Sequence, residues 1–290
     1  MRAEPVPGHA RRPGDSDDFD LVIEARQPAR SYWAEAWRAR ELVLFLAGRD
    51  LLVRYKQTAV GVAWSVLRPL ITMLVFTFVF SRLARLPSEG GAPYAVLVYA
   101  AMLPWTFFSG AFTDASGSLV ASASIITKVY FPRVLVPLSA VAVSVVDFLI
   151  SLLVLLGLML ALHAEFSWRL LLLPVLLLPA LLTALGLGLG LGALNVKYRD
   201  VRHLVPLLTQ FSLYLSPVGY SSSVVPEAWR LAYSVNPLVG VIDAFRWAVL
   251  YSAAPLYAPA QWLAWGVSAA CVLWGVWTFR RSEREFADVI

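Results

Sequence analysis

Two ionisable side chains, Arg68 and Asp147, stand inside long apolar runs of the sequence. A charge in hydrocarbon is costly and is found where it meets a partner, a watery cavity or the membrane interface. Arg68 lies near the start of its run, so its long stem can also carry the guanidinium back to the interface. Asp147 lies about 13 residues into its run, roughly 20 Å at helical rise. It therefore needs a hydrogen bond to a neighbouring helix or a place on the wall of a conduit, and the residues alone leave both open. Little other chemistry is visible. His9, His163 and His203 are far apart and show no metal-ligand spacing. No serine, histidine and acid combination is suggested, so no catalytic, cofactor-binding or metal-binding residue is predicted. A Gly-x-x-x-x-Gly-Lys-Ser/Thr loop is missing from the sequence, so ATP and its magnesium are expected to be bound and hydrolysed by a partner rather than by this chain.

The elements that would hold these charges follow from composition. Of 290 residues, 59% are hydrophobic and 15% are charged, a surplus that one soluble core cannot hide. The apolar residues gather in runs of about 20, the length a helix needs to cross about 30 Å of hydrocarbon. The fold class expected is all-α, a polytopic membrane protein with six transmembrane helices. They are Val62–Phe80, Pro93–Phe112, Val134–Leu162, Leu170–Leu194, Leu204–Tyr220 and Ala260–Phe279. Gly186, Gly188, Gly190 and Gly192 fall inside the fourth, with no strand before them. Their spacing suits close helix packing in lipid rather than a phosphate cradle. The lone Cys271 in the sixth span is a packing residue.

Three domain-level units are expected. Residues 1–30, with four prolines and the acidic group Asp15, Asp17, Asp18 and Asp20, form a flexible arm. No apolar stretch follows a basic start, so a cleaved signal peptide is not expected. Residues 31–59 mix Trp33, Trp37 and Phe45 with Arg38, Arg40, Arg49, Arg54 and Lys56, a composition suited to an amphipathic helix in the membrane interface. Residues 60–290 form the six-span domain with a cytoplasmic tail. The apolar stretch Leu238–Tyr251 carries Asp243 and Arg246 and is about 14 residues long, which favours a re-entrant over a spanning segment. With six spans and both termini inside, only Arg82, Arg85, Arg169, Arg230 and Arg246 face outward, while every other Lys and Arg except Arg68 lies on the inner side. That asymmetry is the positive-inside pattern of a cytoplasmic-membrane protein.

Four short stretches carry a family likeness: Arg49-Asp50-Leu51-Leu52-Val53-Arg54-Tyr55-Lys56, Lys128-Val129-Tyr130-Phe131-Pro132-Arg133, Asn195-Val196-Lys197-Tyr198-Arg199-Asp200, and Asn236-Pro237 with Phe245-Arg246. In this order between spans, over residues 45–290, the chain resembles the permease subunits of ABC transporters that export O-antigen, teichoic acid or capsular polysaccharide. The resemblance implies a homodimer carrying two cytoplasmic ABC ATPase subunits, with a conduit between the two copies for a lipid-linked polysaccharide. It further implies a short coupling helix around Ile125 to Arg133 and two short helices forming an outer gate between the fifth and sixth spans.

Residues can be assigned to each expected role. ATPase coupling falls to Ile125, Lys128, Tyr130, Phe131 and Arg133, where aromatic surface between two cations suits a protein partner. The outer gate takes Asn236, Pro237, Asp243 and Arg246, the last two spaced to pair on one helix face. Conduit candidates are Arg68, Asp147, Gln210 and Tyr214. Aromatics near span ends, such as Trp64, Trp105, Phe107, Phe108 and Tyr220, suit an interface belt or, for a subset, stacking on sugar rings. The alternative function is a membrane-embedded glycan-modifying enzyme, which should place acids together in its outer loops. Glu89, Glu165, Glu227 and Asp243 are widely separated there. A channel should show a filter motif, and none is visible. Scattered Lys and Arg, at a net charge of +5, fit membrane orientation better than a nucleic-acid footprint.

Overall fold

The computed structural model describes residues 29–56, 63–85, 88, 92–250, 255–283 and 286. The acidic N-terminal arm up to residue 28 lies outside the described residues. Eleven α-helices are present among those described, and no strand. Helices α1 (Ala29–Arg38) and α2 (Arg40–Lys56) precede α3 (Ala63–Phe76), which runs into a π-helical turn at Thr77–Leu83. Next come α4 (Tyr94–Ala121), the single turn α5 (Ala123–Ile126), α6 (Leu135–Ala161) and α7 (Leu173–Lys197). The chain closes with α8 (Val201–Tyr214), α9 (Glu227–Tyr233), α10 (Pro237–Val249) and α11 (Ala258–Ser282).

Among the described residues, five segments are long and apolar enough to cross a membrane: Val66–Leu83, Tyr94–Ala121, Leu135–Ala161, Trp168–Lys197 and Ala258–Ser282. They correspond to the first four predicted spans and the sixth. The predicted second span ends at Phe112, whereas α4 continues through Asp114 to Ala121, because the helix outlasts the purely apolar run. The predicted fifth span, Leu204–Tyr220, is the 14-residue helix α8, about 21 Å long at helical rise and short of the hydrocarbon thickness. Beyond Tyr214 the chain turns, and side chains from the next segment bind its carbonyls. The predicted re-entrant stretch is α10, buried along most of its length among α4, α7 and α11.

Helix α7 is the centre of the bundle, with α4 on one side and α11 on the other. Glycine makes both approaches possible. A Cβ on Gly188 would lie 2.6 Å from the Ala115 Cβ of α4, and one on Gly186 would collide with the Cys271 backbone of α11. Gly190 seats the Trp274 ring, and Gly275 seats the Gly186 backbone in return. The four glycines thus serve two faces, Gly186 and Gly190 toward α11, Gly188 and Gly192 toward α4. Polar ties cross the same contacts. Thr183 and Ser268 share a 2.8 Å hydrogen bond, Ser268 also donates to the Pro179 carbonyl at 2.9 Å, and Asn195 Nδ2 donates to the Ser116 carbonyl at 3.1 Å.

Around this spine α6 packs on α4, α2 packs on α6, and α3 lies against α4 and α6. A second apolar cluster closes the end of the bundle that holds α1 and the end of α11, joining Tyr32, Leu46, Leu119, Phe131, Leu135, Phe279 and Phe286. Replacing Gly186 by Ala should destabilise the protein by about 1–3 kcal/mol, the usual cost of overpacking. Gly157, whose added Cβ would meet nothing within 4 Å, should accept Ala without loss. Thermal unfolding in detergent compares the two, and equal melting temperatures would refute the role of the glycine faces.

Candidate functional site

Helix α2 brings a basic side chain to two half-buried carboxylates of the bundle. Arg54, near its end, donates from NH2 to Asp114 Oδ2 at 2.6 Å and from NH1 to Asp147 Oδ2 at 2.5 Å. The Tyr55 hydroxyl donates to Asp147 Oδ1. One guanidinium thereby bridges two carboxylates on two different spans, α4 and α6. Asp147 was expected to need a partner on a neighbouring helix or a place in a conduit. It has the partner, and it also borders a cavity of about 590 Å³. Arg68, Trp64 and Trp105 border the same cavity, so two of the four conduit candidates come together here. The other two, Gln210 and Tyr214, are exposed on α8 and do not line it.

Asp114 was missed at the sequence level, since it stands just past the apolar run. Arg54 was read as one of several headgroup-facing cations. Nothing in the spacing joins them, because Arg54 is 60 residues from Asp114 and 93 from Asp147. Only the packing of α2 against α6 does.

The end of the bundle that holds α1 and the end of α11 carries the predicted coupling residues. Helical hydrogen bonding continues past α5 as far as Val129, whose N–H donates to the Ile125 carbonyl at 3.1 Å, and stops ahead of Pro132. Lys128, Val129 and Tyr130 are exposed, Ile125 is half-buried, and Phe131 is buried. The aromatic pair is therefore divided, Tyr130 outward and Phe131 into the apolar cluster. Arg133 turns inward as well. Its NH1 donates to the Glu283 carbonyl at 2.7 Å, and its guanidinium lies 5.8 Å from the Phe286 ring. The Tyr32 hydroxyl donates to Glu283 Oε1 at 2.8 Å, while Arg280 covers the Tyr32 ring at 4.0 Å and approaches Glu283 Oε2 at 3.6 Å. Burial pushes the Glu283 carboxyl above its usual range, against the Tyr32 hydrogen bond and the Arg280 and Arg133 charges, which pull it down. Helix α1, the segment after α5 and the end of α11 are thus one packed unit.

At the opposite end, Asn236 caps α10 by accepting from the Leu238 N–H at 3.1 Å, and Pro237 occupies the first turn, where its missing donor is harmless. Asn236 Nδ2 also donates to the Leu215 carbonyl and to Ser216 Oγ, both at 3.1 Å. Arg246, one per cent exposed, donates to the carbonyls of Tyr220 at 2.8 Å and Val218 at 3.2 Å. These bonds satisfy the chain where it leaves α8. Tyr220 and Tyr233 share a hydroxyl contact of 2.9 Å across the segment. Asp243 stands one turn before Arg246 on α10.

The fold is that of a polytopic α-helical membrane protein with a charged cavity between its spans. A family model described as ABC-2 type transporter matches residues 41–250, and the chain belongs to that family. The match takes in every residue of the cavity and of the α8 to α10 segment, but not Tyr32 or Glu283. The chain is similar to the O-antigen export system permease protein RfbA of Myxococcus xanthus, 29% identical over 264 residues, covering 88% of this chain and 98% of that one. A protein of the same name from Klebsiella pneumoniae is 28% identical over 208 residues, covering 71% and 79% respectively.

Replacing Arg246 by Met should leave the Val218 and Tyr220 carbonyls without these donors, at about 1–3 kcal/mol for each buried group. Asn236→Ala, which removes a cap, should cost about 1 kcal/mol. Melting temperatures should fall in that order, and an unchanged Arg246→Met protein would show that the guanidinium does not hold this segment.

Proposed function

We propose that this chain is the membrane-spanning subunit of an ABC exporter that moves a polysaccharide or lipid-linked glycan out of the cytoplasm. The observation that carries the reading is a likeness to O-antigen export permeases that extends over nearly the full length of one of them. The working unit is a homodimer in the cytoplasmic (inner) membrane with two ABC ATPase subunits, which bind and hydrolyse the ATP. Relatives named as permeases favour transport over the glycan-modifying alternative, as does the wide separation of Glu165, Glu227 and Asp243.

The topology proposed has six crossings and both termini in the cytoplasm. Helix α8 with the turn up to residue 220 makes the fifth, and the outer segment returns without crossing through α9 and α10, which form the outer gate. Exposed Gln210 and Tyr214 on α8, next to exposed Phe211, suit a surface facing the second copy across the conduit. The positive-inside pattern supports this orientation. A cysteine at exposed Trp229 should label from outside intact cells, and one at exposed Ser124 only after the membrane is opened. The reverse result would invert the topology.

Coupling to the ATPase rests on the segment from Ile125 to Arg133, with a division of labour. Lys128, Val129 and Tyr130 present the contact surface, while Phe131 and Arg133 hold it to α1 and α11. Tyr130→Ala should weaken ATPase association roughly thirtyfold, about 2 kcal/mol, without changing the melting temperature. Phe131→Ala should instead lower stability by about 3 kcal/mol, as large-to-small core changes do. Full association with Tyr130→Ala would remove the segment from the coupling role. In cells, deletion of the chain should leave the glycan on its lipid carrier inside and the surface bare. Surface glycan persisting in that strain would overturn the exporter reading.

A further inference from the structure

We propose that the cavity between α2, α3, α4 and α6 is a sugar subsite, one in each copy of the chain, which takes an uncharged pyranose unit of the passing glycan. The inference rests on the exporter reading and adds to it a ligand class and a place. Its volume, about 590 Å³, lies in the range of small-molecule sites and exceeds what packing defects leave.

The charges decide what the cavity suits. Arg54 and Arg68 are balanced by Asp114 and Asp147, and Arg54 already lies between the two carboxylates at 2.6 and 2.5 Å. A phosphate arriving here would meet two carboxylates as well as two guanidinium groups, with no net attraction. An acyl chain would strip water from four ionised groups without replacing any hydrogen bond. A polyhydroxyl ring avoids both costs. Each carboxylate has acceptor positions beyond those Arg54 uses, and Arg68 has donors to offer. Neighbouring sugar hydroxyls both donate and accept, which matches this mixture.

The lining is also aromatic. Trp64 is half exposed, and Trp105, Phe107 and Phe148 also line the space. An indole face provides the broad apolar surface that the C–H face of a pyranose needs, with a polar edge beside it. Two polar atoms on this lining are unspent. Ser144 is three per cent exposed and its Oγ has no hydrogen-bond partner, and the buried Trp105 Nε1 has none either. Buried polar groups are rarely left so. Both atoms are closed off by protein, so a ligand hydroxyl reaches them where the lining shifts to admit it, and satisfying them would favour that shift.

Gly110 gives a way to test the space. A Cβ added there would meet only Ser144 Oγ, at an ordinary 3.8 Å. Gly110→Ala therefore places a methyl in the cavity beside Ser144 without colliding with the protein. It also replaces glycine within a helix, where Ala is the more stable residue.

The experiment uses the full exporter in cells making the glycan, with the photo-crosslinker p-benzoylphenylalanine at Thr113, an exposed residue lining the cavity. Ultraviolet capture should yield an adduct that reacts with a glycan stain and releases sugar on mass spectrometry. Gly110→Ala and Ser144→Ala in that background should each cut the yield roughly fivefold, about the value of one hydrogen bond. Their melting temperatures should hold or rise, because neither change removes a protein contact. An adduct with phospholipid alone, no adduct, an unchanged yield in both variants, or a yield that falls together with the melting temperature would each overturn the sugar site. Surface glycan distinguishes the failures. If export depends on the chain and Thr113 captures no sugar, only the subsite is lost; if export survives deletion of the chain, the exporter reading falls first.

Discussion

Helices α4, α7 and α11 lie closer together than ordinary side chains would allow, because glycine and alanine stand where their backbones meet. In lipid the hydrocarbon tails are as apolar as leucine, so helix association draws on close van der Waals contact and on interhelical hydrogen bonds. Both are present along α7. Gly186 and Gly188 open its two faces, and Thr183 and Asn195 bind across them to the Ser268 hydroxyl and the Ser116 carbonyl. The large side chains are displaced outward from this spine. Leu171, Leu178, Leu153 and Trp262 are exposed, as they should be where the surrounding solvent is lipid.

With the spine rigid, the less regular elements are tied to it by polar side chains at three levels. Arg54 joins α2 to α4 and α6 at the height of Asp114 and Asp147. Glu283 and Arg133 join α1, the segment after α5 and the end of α11 at one end of the bundle. Asn236 and Arg246 join α10 to the end of α8 at the other. An exposed ion pair in water is worth little, and Arg54, at 37% side-chain exposure, is not a large source of stability. Its importance is geometric. It sets the end of α2 beside the cavity, so any movement of that helix must break or carry two carboxylate contacts.

Function as a transporter requires that such ties be unequal. On the spine the Thr183–Ser268 bond is buried, whereas the Arg54 bridge is partly exposed and can exchange with solvent. Any displacement near Tyr130 would reach α1 and α11 together through Arg133 and Glu283, because those groups pack as a unit. The segment from α8 to α10 is fastened through carbonyls by a buried guanidinium, whose bonds are costlier to leave unmade. This ordering follows from burial and hydrogen bonding rather than from the family likeness.

Much of the molecule was legible in the residue order. Runs of about 20 apolar residues marked the five long helices, since lipid obliges every backbone group to be satisfied within a helix. The short apolar stretch with Asp243 and Arg246 marked α10, and the glycine spacing marked the close contacts of α7. Charge asymmetry suggested orientation, and four short stretches pointed to the family. Other features depended on packing. The apolar run ended at Phe112 although the helix did not, which hid Asp114. Tyr130 and Phe131 are adjacent and chemically alike, yet one is exposed and the other buried, because Pro132 and the apolar cluster turn the chain between them. Arg54 resembled its basic neighbours until α2 lay against α6. What each segment tolerates as surroundings, lipid, water or a close neighbour, is readable from residue order, because those preferences reside in single side chains and their period. Which charges meet and which polar atoms are left without a partner is a matter of packing, because both depend on distances between residues that chain order leaves unspecified.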